Sequence, residues 1–106
     1  MKITTQTRRV NPQRELLACF DVSKAVLNLF CHYEQDQTTV RLEDQLPNAT
    51  EAIEQALRRL QRLAQREGFE AMRVLCESTG GYERTLLQTA RRLGCRTALV
   101  SPELKI

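Results

Sequence analysis

Apolar and polar positions follow two rhythms along this chain, and the change of rhythm marks its elements. Leu16 to Asp21 is a nearly continuous apolar run, the pattern of a central strand covered on both faces. After the corner Val22-Ser23-Lys24, a second strand is predicted from Val26 to Tyr33. There Leu27, Leu29, Cys31 and Tyr33 alternate with Asn28, Phe30 and His32, so this strand is more one-sided. Gln35-Asp36-Gln37 reads as a polar turn. Thr38 to Glu43 sets Val40 and Leu42 against polar neighbours, as in an edge strand. The short links predict an antiparallel meander.

The period then lengthens. Asn48 stands where an N-cap would, with Glu51 at the capping-box position. Ile53, Ala56, Leu57, Leu60, Leu63 and Ala64 fall on one helical face, and Gly68 is placed to end the helix. Met72 to Cys76 is a fourth strand, broken only by Arg73. Gly81 to Leu93 is a second helix closed by Gly94, and Thr97 to Val100 is a fifth strand stopped by Ser101-Pro102. The order β-β-β-α-β-α-β predicts a mixed α/β sheet. A long helix between an edge strand and a buried strand implies a right-handed crossover to a parallel partner.

Composition narrows the class. The 106 residues suit one small domain, and 42% apolar content is ordinary for a globular protein. No apolar run approaches a membrane span, and the basic N-terminus lacks the apolar segment of a signal peptide, so a cytoplasmic protein without membrane contact is expected. Lys2, Arg8, Arg9 and Arg14 all precede the first acid, Glu15, and the net charge is only +3. Residues 1–14 therefore read as a basic flexible arm, with Arg8 and Arg9 as candidate phosphate contacts; a plain unstructured leader is the alternative. Arg58, Arg59, Arg62 and Arg66 lie on the outer face of the first helix, which is either a nucleic-acid face or a solvated one. The four cysteines form no C-x-x-C pair, and His32 beside Cys31 points to the opposite side of its strand, so a zinc site is not expected. Cys19, Cys31 and Cys76 are expected as reduced core thiols.

Two acids carry the candidate chemistry. Asp21 ends the first strand in "CFDVSKA", and Glu77 ends the fourth in "CESTGG". Sites in open α/β sheets form beyond the carboxyl ends of parallel strands. If these strands are neighbours, both carboxylates enter one cleft and repel each other unless a cation intervenes. Mg²⁺ fits, since it takes oxygen ligands and often only one or two carboxylates beside water and phosphate. Paired ions of this kind support phosphodiester chemistry. Thr79-Gly80-Gly81 leads into a helix N-terminus, where a DNA or RNA phosphate could sit; a plain cap and hinge is the alternative. Lys24 either points to the same cleft or is a solvated turn residue.

"DVSKA" after an apolar strand, "ESTGGYER" at the fourth strand and a strand ending in "VSP" together resemble the N-terminal part of the DEDD transposases of bacterial insertion sequences. This is insertion-sequence family 110, which includes pilin-gene invertases and bridge-RNA-guided recombinases. The resemblance covers roughly Leu16 to Pro102. It implies a RuvC-like domain of the ribonuclease H fold, covering residues 15–106 in part, with Asp21 and Glu77 matching the first two of four metal-holding acids. Lys24, Thr79, Gly80, Gly81 and Tyr82 match further motif positions. It also implies Mg²⁺ or Mn²⁺ as cofactor and DNA and a guide RNA as partners. Assembly as a homo-oligomer, dimer or tetramer, is implied too, with a serine nucleophile in a separate domain. Nothing after Glu77 matches the two later aspartates. The chain is thus expected to be a shortened piece of such a protein, truncated before the last helices and inactive alone. One sheet face is expected to be left uncovered, and that face to self-associate. The rival readings are an actin- or sugar-kinase-like phosphotransferase, against which Val22-Ser23-Lys24 lacks glycine, and a non-catalytic nucleic-acid-binding module.

Overall fold

The structure is a computed structural model, and it describes residues 14–100. The basic-arm residues Arg8 and Arg9 and the Ser101-Pro102 stop lie outside the described residues. Five strands, β1 (Glu15–Val22), β2 (Val26–Gln35), β3 (Thr38–Pro47), β4 (Ala71–Glu77) and β5 (Arg96–Val100), form one sheet in the order β3-β2-β1-β4-β5. The first three are antiparallel neighbours, while β4 runs parallel to β1 and β5 parallel to β4. Helix α1 (Thr50–Arg66) links β3 to β4, and α2 (Arg84–Arg92) links β4 to β5. The mixed sheet and the chain order β-β-β-α-β-α-β agree with the sequence reading, and the adjacency of β1 and β4, conditional there, is present.

Local chemistry explains the turns. Asp36 and Gln37 both have positive φ, 51° and 67°, which makes a two-residue hairpin of the primed kind that suits strand twist. Asp tolerates this conformation; Gln37 adopts it at a cost that the ten-residue ladder of β2 with β3 overrides. Both helices end alike. The N–H of Gly68 donates to Gln65 O and that of Phe69 to Ala64 O, and Gly94 and Cys95 repeat the pattern on Arg91 and Ala90. Each glycine sits at φ above 80°, so a residue with a side chain there would be strained.

The core lies on one side of the sheet. Leu16, Ala18, Phe20 and Val22 of β1 pack with Leu27, Leu29 and Cys31 of β2 and with Met72, Val74 and Cys76 of β4. Ile53, Leu57 and Leu60 of α1 and Leu86 and Ala90 of α2 close this layer. Each fully buried Leu or Ile contributes about 1.5–3 kcal/mol of transfer free energy. The expectation that β1 is covered on both faces is corrected. Its residues alternate strictly between buried and open, and Leu17, 44% exposed, shares the open face with Cys19 and with Phe30 of β2, 41% exposed. Cys19 is accordingly exposed rather than in the core, whereas Cys31, Cys76 and Cys95 are buried. Arg14, read as part of the arm, is tied to the domain: its guanidinium lies 4.3 Å from the Phe69 ring centre, and its carbonyl accepts from Glu70 and Ala71 N–H. No helix among the described residues is long and apolar enough to cross a membrane.

Candidate functional site

The parallel ladder of β1 with β4 places the two acids. Its last recorded pair is Phe20 opposite Cys76, so Asp21 and Glu77 occupy the next position on each strand. Phe20 and Cys76 both point into the core, and the residues that follow therefore point to the open face. Neighbouring strands lie about 4.8 Å apart, so the two carboxyl-bearing side chains rise side by side. They line one cleft of about 420 Å³, walled also by Phe30, Leu75, Thr79 and Val100. The structure thus brings together Asp21, Glu77 and Thr79. Lys24 sits exposed at the tip of the β1–β2 link, and neither it nor Gly80 or Gly81 lines the cleft. That link is held by Ser23, whose Oγ donates to Val26 O at 2.8 Å and accepts from Val26 N–H.

The Thr79-Gly80-Gly81 loop is engaged internally. Glu83 Oε1 accepts from Thr79 N–H at 3.1 Å, from the Thr79 hydroxyl and from Gly81 N–H at 3.2 Å. The loop donors expected to meet a nucleic-acid phosphate are therefore turned to a carboxylate of the chain itself. The Thr79 hydroxyl foremost, with the loop amides, holds the Glu83 carboxyl down at about 2. Sequence reading had placed Glu83 merely within the helix; it is in fact the N-cap position of α2, where the helix dipole favours an anion. An acid placed just before a helical pattern was the signal available.

Asn48 is the second residue whose role the sequence did not reveal. The N-cap of α1 is Ala49, without a side-chain cap bond. Asn48 instead directs Nδ2 at two carbonyls, Ser23 O at 2.9 Å and Tyr82 O at 3.1 Å. Its own N–H donates to Ala25 O at 2.9 Å. One amide thus joins the loop that follows Asp21 to the loop that follows Glu77. Its Oδ1 is buried without a hydrogen-bond partner among the described residues, so the orientation is set by the two acceptors in front of Nδ2.

Other candidates resolve more simply. Arg58 and Arg92 converge on Glu54 at 2.9 and 3.2 Å, Arg59 reaches Asp44 at 3.6 Å, and Arg66 reaches Glu67 at 3.6 Å. The arginine run is largely an ion-paired, solvated face. Burial raises the thiols of Cys31 and Cys76 to about 11, so both are protonated and inert at neutral pH. No group of three or more His, Cys, Asp or Glu that could hold a metal ion occurs among the described residues. Asp21 and Glu77 are therefore a two-carboxylate pair, a donor set that suits a hard cation completed by other oxygens.

No family model and no curated protein matches the chain. Solved structures do. RuvC of T. thermophilus in complex with a Holliday junction substrate aligns with TM-score 0.52 at 14% identity, over 85% of this chain and 66% of RuvC. The fold is ribonuclease H-like. A second Thermus thermophilus RuvC structure aligns with TM-score 0.51 at 15% identity, over 82% of this chain and 64% of that one. The Aquifex aeolicus member of the Ppx/GppA family aligns equally well, with TM-score 0.52 at 16% identity, over 84% of this chain. The chain spans only 36% of that protein's length. At such identities the likeness establishes the fold and no more.

Proposed function

We propose that the chain is the N-terminal catalytic portion of a DNA recombinase of the insertion-sequence type, in which Asp21 and Glu77 hold a divalent cation, Mg²⁺ or Mn²⁺. The carrying observation is their placement as neighbours past the last β1–β4 pair, on one face and in one cleft. Such a cation, when bound, would stabilise charge on the oxygens of a scissile phosphodiester. The two carboxylates fix its position and Thr79 forms the adjoining wall. In the full-length protein further acids complete the site, the two later aspartates of the family pattern. DNA is the substrate, a guide RNA the specificity partner, and the protein works in the bacterial cytoplasm as a homo-oligomer. Arg8 and Arg9 add sequence-independent phosphate contacts and make DNA binding salt-dependent.

Two observations count against a phosphotransferase. The Ser23–Ala25 link has no glycine to cradle a phosphate. The glycine loop after β4 already spends its amides on Glu83.

The test is Mn²⁺ titration of the chain and of Asp21→Asn and Glu77→Gln variants, followed by calorimetry. Weak binding by the wild type, reduced at least about tenfold in each variant, is the expected result. Equal binding in all three would remove the metal reading. A crystal grown with Mn²⁺ adds a geometric check: the two carboxylates should meet one ion.

A further inference from the structure

Among the described residues the edge strand β3 is unpartnered on its outer side, and its sequence is self-complementary. In a two-residue hairpin the residues flanking the turn form a hydrogen-bonded pair, and such pairs alternate along the ladder. Gln35 opposite Thr38 is that pair, so Thr38, Val40, Leu42 and Asp44 bond inward to β2. Thr39, Arg41, Glu43 and Gln45 are left with N–H and C=O groups facing outward. The Gln45 N–H confirms this parity: it is taken by the Asp44 side chain at 2.8 Å rather than by β2. A long outward-facing edge is a template for pairing with another strand.

We propose that β3 pairs antiparallel with β3 of a second copy, about a two-fold axis at Leu42. A two-fold axis normal to the sheet keeps equivalent faces together, so paired residues must share a face and only registers centred on a residue are open. Centring on Arg41 sets arginine against arginine, and centring on Glu43 sets glutamate against glutamate. Centring on Leu42 sets Arg41 against Glu43 twice, Leu42 against Leu42 and Thr39 against Gln45. Arg41 and Glu43 lie on the open face, opposite His32 and Phe30 of β2, and neither takes part in an ion pair among the described residues. Leu42 lies on the helix face, where it borders a groove of about 500 Å³ shared with Leu60, Leu63 and Arg59. Asp44 pairs with Arg59 on that side, which lowers the charge that each copy's helix presents across the seam. The result is a continuous ten-strand sheet in which the charges choose the register. This pairing gives the homo-oligomer proposed above an edge-to-edge contact in place of the uncovered sheet face expected from the sequence, and it stands whether or not Asp21 and Glu77 hold a metal.

Sedimentation equilibrium of the 106-residue chain tests it, with the variants Arg41→Glu, Glu43→Arg and the double exchange. The wild type should dimerise. Each single reversal turns both symmetric pairs from attraction to repulsion and should raise the dimer dissociation constant at least about tenfold. The double exchange restores opposite charges and should restore the dimer, an outcome that misfolding cannot mimic. A monomeric wild type overturns the proposal. So does a dimer indifferent to both single reversals; loss of that dimer in Leu17→Gln would assign the contact to the open sheet face instead.

Discussion

Replacing Asn48 separates two physical effects that this structure sets against each other. The side chain gives two neutral hydrogen bonds, to Ser23 O at 2.9 Å and to Tyr82 O at 3.1 Å. Each such bond contributes about 0.5–1.5 kcal/mol net. The same side chain buries Oδ1 without a partner among the described residues, which costs about 1–3 kcal/mol. Asn48→Ala removes both the gain of about 1–3 kcal/mol and the penalty of similar size, so the two nearly cancel and stability should change by no more than about 1 kcal/mol. Asn48→Asp removes both donors, keeps a buried oxygen and turns a carboxylate toward two carbonyl oxygens. That variant should be at least about 2 kcal/mol less stable than Asn48→Ala at neutral pH. For a domain of this size about 1 kcal/mol moves Tm by roughly 4–8 °C, so thermal unfolding resolves the two. An Asp variant as stable as the Ala variant would refute the argument. It would mean that the Ser23 and Tyr82 carbonyls do not depend on the Asn48 amide for stability. Because the clamp joins the loops behind Asp21 and Glu77, Asn48→Ala should also weaken Mn²⁺ binding by the wild-type pair.

Glu83 predicts a pH signature. Its carboxyl is lowered from 4.5 to about 2, so its contribution to stability is complete above pH 4.5 and fades as pH falls toward 2. The gap in urea midpoint between wild type and Glu83→Gln should therefore be flat near neutrality and close over that acid window; a gap unchanged down to pH 2 would contradict it. Glu15 and Glu54, also lowered by their arginine partners, act equally in both proteins and cancel. Leu57→Ala, at a fully buried position of α1, should cost about 2–5 kcal/mol by urea unfolding. Leu17→Gln, on the open face, should change stability by no more than about 0.5 kcal/mol. Equal losses in those two variants would mean that the open face is packed.

The sequence yielded the elements because each periodic stretch had a physical terminator. Gly68 and Gly94 stop the helices where their positive φ is required, and Asp36 and Gln37 turn the hairpin. The crossover helix made a parallel β4 legible, but the meeting of Asp21 and Glu77 stayed conditional on β1 and β4 being neighbours, which the β1–β4 ladder supplies. Asn48 misled because a good capping residue before a helix looks the same whether its side chain turns to the helix or away from it. Here Nδ2 donates to the Ser23 and Tyr82 carbonyls, 25 and 34 residues distant, and the side chain is held away from the helix amides. The glycine loop misled for a related reason. Free N–H groups at a helix start invite an anion, but the periodicity does not say whether the chain supplies one, and Glu83 does.

The parity of β1 ties the site to the open face. Even-numbered residues, Leu16 to Val22, face the helices, so Asp21 must share its side with Leu17 and Cys19. The same count on β4 puts Glu77 with Arg73 and Leu75. A one-residue slip of either strand would bury one carboxylate among leucines, at a desolvation cost that no neighbour in that layer offsets. The core pattern and the acid pair therefore fix each other. The acids can meet in one cleft only if the even-numbered residues form the core, and that arrangement leaves Leu17, Cys19 and Phe30 open beside them. Any layer that packs on this face therefore also covers the cleft that Asp21 and Glu77 line.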